Sequence, residues 1–296
     1  MNFLLSVAFV LCWSSGFIGA KLGAGSAPAA TILMWRFLPL AVILLAVSAA
    51  GGAAFWRVLT LRDMARQGLI GLLSQSGYLL TVYYAIQLGV SSGTTALIDG
   101  VQPLVAGALA GPLLRQYVAP RQWLGLCLGA TGVTVVTTAD AAANTADAWW
   151  AYLIPFLGML SLVAATFLEN RSRTRVAASA SMTVHCITSA VLFTALAAGT
   201  GTVTPPPDMT FWAAITWLIA LSTFGGYGLY WLILKRSGVT KVNTLMFLMA
   251  PVTAAWGALM FGEPLGLQAL LGLAVTLGAV VIVHRGNTSP TEQQVP

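Results

Sequence analysis

The feature that most constrains this chain is a series of apolar runs, each about 20 residues long, that recurs from one end to the other. A helix of that length spans a hydrocarbon core of roughly 30 Å. Because the runs are continuous rather than alternating in polarity, they predict membrane-spanning helices instead of strands. The predicted spans are 3–24, 29–49, 67–88, 92–114, 121–139, 149–169, 178–198, 210–234, 239–262 and 266–284.

The composition agrees with lipid as the main solvent. Charged residues make up 7% of the chain and hydrophobic residues 58%, whereas a soluble domain carries about 25% charged residues. The formal net charge is +6, yet the basic residues lie between the spans, where anionic lipid headgroups meet them. This placement argues against a nucleic-acid-binding protein.

Ten spans place alternate connections on opposite sides of the membrane. The basic residues are divided unequally between these two sets of connections. One set, with the C-terminal tail, contains Arg57, Arg62, Arg66, Arg115, Arg121, Arg171, Arg173, Arg175, Lys235, Arg236, Lys241 and Arg285. The other set contains Lys21 near a helix end, with Asp140, Asp147 and Asp208. By the positive-inside rule, this asymmetry predicts that both termini are cytoplasmic.

The first half of the chain recurs in the second half at a nearly constant spacing. The matching segments are Gly77–Leu80 with Gly226–Leu229, Gly89-Val90 with Gly238-Val239, Thr95 with Thr244, and Pro103 with Pro251. Five helices per half is an odd number, so the second half runs inverted, as in many secondary transporters. We expect a first repeat over 1–140, an inverted second repeat over 141–286 and a short cytoplasmic tail over 287–296. The predicted fold is an all-α integral membrane protein of ten helices around a central cavity.

Short motifs in this chain are similar to those of a known family. Trp13–Phe17 resembles the start of an EamA-type repeat, and Gly89-Val90 before a proline-bearing helix resembles a later part of one. Pro251, Gly262–Leu265 and Gln268–Gly272 resemble the end of the second repeat in the drug/metabolite transporter superfamily.

Within that superfamily the chain is most similar to aromatic amino acid exporters of the YddG type. The resemblance implies ten helices, a central cavity, and export of aromatic amino acids or related compounds across a bacterial inner membrane. In one respect the chain departs from a symmetric pattern. The first repeat has Arg115 where the second has Glu263, so an acidic group that served both repeats is present only once.

Two prolines inside apolar spans point to the position of the cavity. A proline within a helix frees a carbonyl group and kinks the helix, and in a membrane that group needs a partner or a water-filled cavity. The same kinks and the large side chains near them also suit ordinary helix packing. The candidates for the substrate cavity and its gates are Trp13, Ser14, Tyr78, Asp99, Gln102, Pro103, Tyr227, Asn243, Met246, Pro251 and Trp256. Their aromatic rings suit flat or cationic ligands.

Ionisable residues within the spans are the most informative single positions. Asp99 and Arg36 each lie about two helical turns from the predicted outer side, where a charge is costly. One interpretation is a buried ion pair that locks two helices. The other is that Asp99 binds a substrate ammonium group or a proton, and Arg36 a carboxylate. Further candidates for proton or ion-pair roles are Glu169 and Glu263 near helix ends and His185 inside the seventh span.

An enzyme is the first rival interpretation. Gly89-Val90-Ser91-Ser92-Gly93 matches a nucleophile elbow, but that motif needs a preceding strand, and here it joins two predicted membrane helices. We therefore predict that the protein is not an enzyme and has no cofactor or metal site. The cysteines, Cys12, Cys127 and Cys186, have no metal-ligand spacing.

Other substrate classes are the second rival interpretation. A sugar-phosphate or nucleotide-sugar exchanger would need several buried cations, and only Arg36 lies well inside a span. A cationic drug remains an alternative substrate. We predict a secondary transporter that exports small amphipathic metabolites by alternating access. Its expected partners are its substrate, membrane lipids and, as a second candidate, protons, without nucleic acid or an obligatory protein partner.

Overall fold

The computed structural model describes residues 3–50, 60–114, 119–143, 149–171 and 176–286, and in these ranges it contains helices and connections but no strand. The helices are α1 (Phe3–Ala24), α2 (Ala29–Ala50), α3 (Leu61–Gln87), α4 (Ser92–Gly100), α5 (Gln102–Leu114), α6 (Pro120–Ala143), α7 (Trp149–Asn170), α8 (Ala178–Gly199), α9 (residues 209–246), α10 (Met249–Phe261) and α11 (Leu267–Gly286).

Seven of the described helices are long and apolar enough to cross a membrane: α1, α2, α3, α6, α7, α8 and the Met209–Ser237 part of α9. Two shorter apolar helices follow, Met249–Phe261 and Leu267–Ala279. Large apolar side chains, for example Val42 and Leu259, are exposed on the outside of the bundle, as a lipid-facing surface requires. The all-α membrane class is thus confirmed, while the count of ten spans stays a prediction.

The third helix of each half widens into a π-helix near its middle. These segments are Leu72–Gly77 in α3 and Leu218–Tyr227 in α9. Glycines there admit close neighbours: a Cβ on Gly77 would lie 2.9 Å from Ser161 Oγ, and one on Gly225 would lie 2.9 Å from Cys12 Sγ. As a result α3 packs against α7 and α9 packs against α1, so each third helix contacts the first helix of the other half.

Each half also contains an interrupted helix. Val101 separates α4 from α5, and Phe247 and Leu248 separate α9 from α10. Pro103 and Pro251 follow these breaks, and each proline lacks an N–H and clashes with the carbonyl group four residues earlier. The structure therefore has a helix break just N-terminal to each proline of the predicted pair.

The largest cluster of buried apolar side chains lies between α1, α2, α3, α4, α8 and α9. Its members include Phe17, Leu33, Ile86, Leu97, Phe193 and Leu218. These residues lie in the halves of their helices that the predicted topology places outside. The outer half of the bundle is consequently tightly packed. A cavity lies on the inner side of this core, toward the predicted cytoplasmic end.

Candidate functional site

A cavity of about 180 Å³ lies near the middle of the bundle, between helices of both halves. Of the residues predicted for the cavity, the lining contains Trp13, Tyr78, Asp99, Gln102, Pro103, Tyr227 and Met246. It also contains Arg36, which the sequence offered as an ion-pair candidate. Both helix breaks reach the cavity, since Gly100 and Phe247 also line it. Broken helices and a central cavity are the arrangement in which transporters hold their substrates.

Asp99 is the next-to-last residue of α4 and lies at the cavity wall. The Tyr78 hydroxyl donates a hydrogen bond to Asp99 Oδ2 at 2.8 Å. Asp99 Oδ1 is buried and has no hydrogen-bond partner. A buried carboxylate oxygen without a partner is costly, so this atom is available to accept from a ligand.

Arg36 lies on α2 and is only 4% exposed. Its Nη1 donates to the Tyr83 hydroxyl at 2.7 Å, and its Nη2 donates to Ser222 Oγ and Thr223 Oγ1, both at 3.2 Å. The buried Nε has no partner. All these acceptors are neutral hydroxyl groups, so the guanidinium charge has no anion in contact and the site favours an anionic ligand.

The buried ion pair between Arg36 and Asp99, one of the two interpretations that the sequence left open, is not present in the structure. Both side chains line the same cavity, but no salt bridge joins them; hydroxyl groups hold each one instead. Tyr78 and Tyr83 on α3 take these positions because both residues face the cavity from the same helix. The two opposite charges are therefore kept apart, each with an atom that has no partner.

Aromatic rings form the wall between α1 and α9. The Trp13 ring lies 5.4 Å from that of Tyr227 and 5.7 Å from that of Tyr230, with tilted planes. The Phe9 ring packs behind, 5.6 Å from Trp13. Of these four residues, Trp13 and Tyr227 face the cavity and provide a surface for a flat apolar group.

Several predicted residues lie outside the cavity lining. Ser14 is buried and donates to the Met249 carbonyl at 3.4 Å, which ties α1 to α10. Trp256 packs against Trp217, with ring centroids 5.6 Å apart, and Pro251 follows the break without facing the cavity. The Asn243 side chain and Arg115 lie outside the part of the chain whose side chains the structure describes.

His185 and Glu169 meet through Gln67 at the predicted cytoplasmic end. His185 Nε2 lies 2.8 Å from Gln67 Oε1, and Gln67 Nε2 donates to Glu169 Oε2 at 3.1 Å. Gly71 makes room for this contact, because a Cβ there would lie 2.7 Å from the His185 Cα. The arrangement links α3, α7 and α8 and lies outside the cavity lining.

Glu263 lies at the opposite, predicted outer end. Its carboxylate is buried and forms a salt bridge with Lys21 Nζ at 3.4 Å. It also accepts from the backbone N–H of Ser92 at 2.8 Å. The sequence offered Glu263 as a candidate for a proton or ion-pair role, and the structure places it at the contact between the two halves.

Sequence reasoning missed three residues that hold Arg36: Tyr83, Ser222 and Thr223. Ser222 and Thr223 are a polar pair within an apolar run, a pattern from which they could have been selected as candidates. They face the cavity from a π-helix, however, and the periodicity of an α-helix does not predict which side chains of a π-helix share a face.

Ser91 does not occupy a nucleophile elbow. Helix α3 precedes it rather than a strand, and Ser91 is the N-cap residue of α4. Both its backbone N–H and its hydroxyl group donate to the Asp140 carboxylate. This arrangement explains the Gly-rich motif as the tight connection between two membrane helices.

Comparison with known proteins decides the family. The model of the EamA-like transporter family matches residues 2–138 and 149–285, one match in each half. The chain belongs to the EamA-like transporter family. A solved crystal structure is similar over 97% of this chain and 98% of its own, with a TM-score of 0.63 and 18% identity, which shows the fold alone. No curated protein matches the chain.

The EamA-like transporter is accordingly a multi-pass membrane protein of the drug/metabolite transporter superfamily. Members of this family are transporters of small molecules rather than enzymes. The family assignment does not identify the substrate. The residues that line the cavity are the evidence from which a substrate class can be proposed.

Proposed function

We propose that this EamA-like transporter exports small zwitterionic metabolites with an apolar ring, above all aromatic amino acids and related compounds, by alternating access. One observation carries the proposal: Arg36 and Asp99 line a single cavity without contacting each other, beside the Trp13 and Tyr227 rings. An α-amino acid has the matching groups, a carboxylate, an ammonium group and a side chain.

Arg36 is the residue that binds the carboxylate. A guanidinium group presents several N–H donors in a fixed plane that matches a carboxylate. Its hydroxyl partners, Tyr83, Ser222 and Thr223, fix its position without neutralising it. The free Nε gives a ligand a donor in addition to the charge.

Asp99 is the residue that binds the ammonium group. Tyr78 holds one carboxylate oxygen, so the carboxylate is oriented, and the other oxygen is left for a cationic donor. In a membrane interior a bare carboxylate is costly, and an ammonium group offsets that cost with charge and hydrogen bonds.

The rest of the wall suits the apolar side chain of the substrate. Trp13 and Tyr227 offer ring faces and edges, and Met182 and Met246 add polarizable side chains that adapt to rings of different outline. The cavity volume of about 180 Å³ is below the ~300–1,000 Å³ typical of sites for drug-sized ligands. This size favours a single amino acid over a larger drug.

The competing substrate classes fit this wall less well. A sugar phosphate or nucleotide sugar needs several cations, and among the described lining residues Arg36 is the one cationic side chain. A cationic drug would be attracted by Asp99 but repelled by Arg36. The balanced pair of charges favours a zwitterion.

Transport through this site would follow from two similar halves that move against each other around it. We place the protein in a bacterial inner membrane with both termini cytoplasmic, on the charge asymmetry of the connections. A proton antiporter additionally needs a titrating group during the cycle, for which the candidates are Asp99, Glu169, His185 and Glu263.

Flux into liposomes tests the proposal. The purified transporter should carry labelled tryptophan and phenylalanine, and unlabelled tryptophan should compete at least ~10-fold better than tryptamine or indole-3-propionate, each of which lacks one charged group. Repeating the assay with and without a pH gradient tests proton coupling. Absence of flux for every aromatic amino acid, or equal competition by all three compounds, would refute the substrate class.

A further inference from the structure

The Glu263 carboxylate joins three helices at the outer end of the bundle. It accepts from the Ser92 backbone N–H at 2.8 and 3.0 Å and from the Ser92 hydroxyl at 2.7 Å. It also lies 3.4 Å from Lys21 Nζ. Lys21 belongs to α1, Ser92 begins α4, and Glu263 directly follows the turn that ends α10. The contact therefore connects the first half of the chain with the second.

The local backbone is shaped around this carboxylate. Gly262 ends α10 with φ +67°, a left-handed conformation that other residues rarely adopt, and so turns Glu263 back toward α4. Gly257 leaves the space that the carboxylate occupies: a Cβ there would collide with Glu263 and would lie 2.6 Å from Ser92 Oγ. Two glycines thus make this one contact feasible.

Helix α4 links this contact to the cavity. Its N-terminus bears the positive end of the helix dipole, which a carboxylate from the other half stabilises. Its C-terminal residues, Asp99 and Gly100, line the cavity. The helix has nine residues and is about 14 Å long. It packs closely on α10, because a Cβ on Gly93 would lie 2.7 Å from the Ala254 backbone.

We propose that Lys21, Ser92 and Glu263 form an outer latch that holds α4 against α10 and closes the cavity toward the outside. Opening of the latch lets α4 move away from α10 and exposes the Asp99 end to the outer solution. The inference rests on the alternating-access part of the proposed function and is independent of which substrate is carried.

The chemistry of the contact suits a latch that opens and closes. The Glu263 carboxylate contacts an ammonium group, a backbone N–H and a hydroxyl group. Water can replace each of these partners, whereas the apolar core on the inner side of the latch is interlocked. The Lys21 side chain is 25% exposed, so water reaches the pair from the outer face and limits the free energy that holds it closed. A fully buried ion pair would be much costlier to separate.

The chain provides its own reporter for a test. Cys186 is buried and lines the cavity, so a hydrophilic reagent reaches its thiol only through an open mouth. The starting protein is the full chain with Cys12→Ala and Cys127→Ala, in vesicles whose outer membrane face is outside. The rate of Cys186 modification by a membrane-impermeant methanethiosulfonate is measured in this protein and in Glu263→Ala, Lys21→Met and Ser92→Ala.

Loss of the latch should raise the outside labelling rate at least about tenfold in Glu263→Ala. The rise should be smaller in Lys21→Met, which removes the cation, and smallest in Ser92→Ala, which removes the hydroxyl hydrogen bond and keeps those from the backbone N–H. Asp63→Asn, a carboxylate variant in the local capping box that begins α3 at the opposite end, is the matched control and should leave the rate unchanged. Thermal unfolding of each variant in detergent separates opening from unfolding. If Glu263→Ala does not fold, Lys21→Met and Ser92→Ala still give the result.

Unchanged outside labelling in folded latch variants would overturn the proposal, as would faster labelling from the cytoplasmic face alone. The substrate proposal is tested separately, because labelling needs no substrate. If labelling increases while tryptophan flux is absent, the latch stands and the substrate class falls. If flux is present while labelling is unchanged, the latch falls and the substrate class stands.

Discussion

The two halves of the transporter share a backbone plan but differ in the polar groups that they bring to the cavity. Helices α2 and α8 correspond closely, since 149 residues separate Ala29 from Ala178 and likewise Ala50 from Gly199. The same spacing relates Arg36 to His185. Arg36 faces the cavity, whereas His185 bonds to Gln67 outside it. Equivalent backbone positions therefore do not imply equivalent roles.

The difference extends to the whole cavity wall. Among the described lining residues, both charged side chains, Arg36 and Asp99, come from the first half. The second half contributes a more apolar surface with hydroxyl groups. Its members include Met182, Cys186, Ser222, Thr223, Tyr227 and Met246. The two halves thus share the broken helices that enclose the cavity, while both of the charged side chains in the described lining belong to one of them.

Replacing Arg36 and His185, which occupy equivalent positions in the two halves, should show the largest difference between the halves. Arg36→Gln should lower kcat/KM for tryptophan flux at least about 100-fold, because removing one partner of a buried charged contact costs 2–5 kcal/mol. His185→Gln should change it less than about fivefold, since one hydrogen bond outside the cavity contributes ~1 kcal/mol or less. Liposome flux measures both. Similar losses in the two variants would contradict the asymmetry between the halves.

Asp99 should show the next largest effect. Asp99→Asn is expected to lower kcat/KM for tryptophan about 10- to 50-fold, since it removes the charge that faces the ammonium group. Indole-3-propionate, which has no ammonium group, should compete relatively better with this variant. Tyr78→Phe leaves the charge and removes one hydrogen bond, so it should cost only about fivefold. An unchanged competition profile in Asp99→Asn would contradict the assigned role.

Much of the fold could be predicted from the sequence, because a bilayer leaves the backbone few alternatives. Continuous apolar runs predict helices, and a proline inside such a run kinks or breaks the helix, as beside Pro103 and Pro251, although Pro39 lies within the continuous helix α2. Asp99 could be singled out because ionisable residues at mid-span depth rarely face lipid, and Trp13 and Tyr227 because aromatic rings near mid-span suit flat or cationic ligands. All three line the cavity.

The pairing of side chains could not be predicted in the same way. Arg36 and Asp99 looked suited to an ion pair because they lie at similar depths. Which groups they meet depends on a third helix, α3, whose Tyr78 and Tyr83 reach them first. The contact of Glu263 with Ser92 joins residues 171 positions apart, and no local pattern encodes a distance of that length. Tertiary packing decides such contacts.

The methionines of the second half should have a smaller effect, which is limited to the choice between aromatic substrates. Met182→Leu and Met246→Leu keep the side-chain volume but remove the flexible thioether. Each should change the relative flux of tryptophan, tyrosine and phenylalanine by about threefold or less while leaving the competition by indole-3-propionate unaltered. Competition assays in liposomes measure both quantities. A change in discrimination between charged groups would mean that the second half also contacts the charged end.

The smallest expected effect concerns the caps of the two third helices. Thr60 caps α3 through a local capping box with Asp63, whereas Asp208 caps α9 and also accepts from Ser26 of the other half at 2.6 Å. The Ser26 hydrogen bond, followed by that from Thr210, lowers the pKa of the Asp208 carboxyl below its ordinary value. Because this pKa is lowered, Asp208 contributes its full stabilisation when the pH is above the ordinary pKa of the carboxyl group. The stabilisation is lost as the pH falls through the lowered pKa.

The midpoint temperature of the parent should therefore fall slightly more on acidification than that of Asp208→Asn, which lacks the titrating group. Thermal unfolding in detergent from neutral to acid pH measures this, with Thr60→Ala as a cap variant that keeps Asp208. A parent and an Asp208→Asn variant with the same pH dependence would show that the contact between the halves at this cap adds nothing to stability.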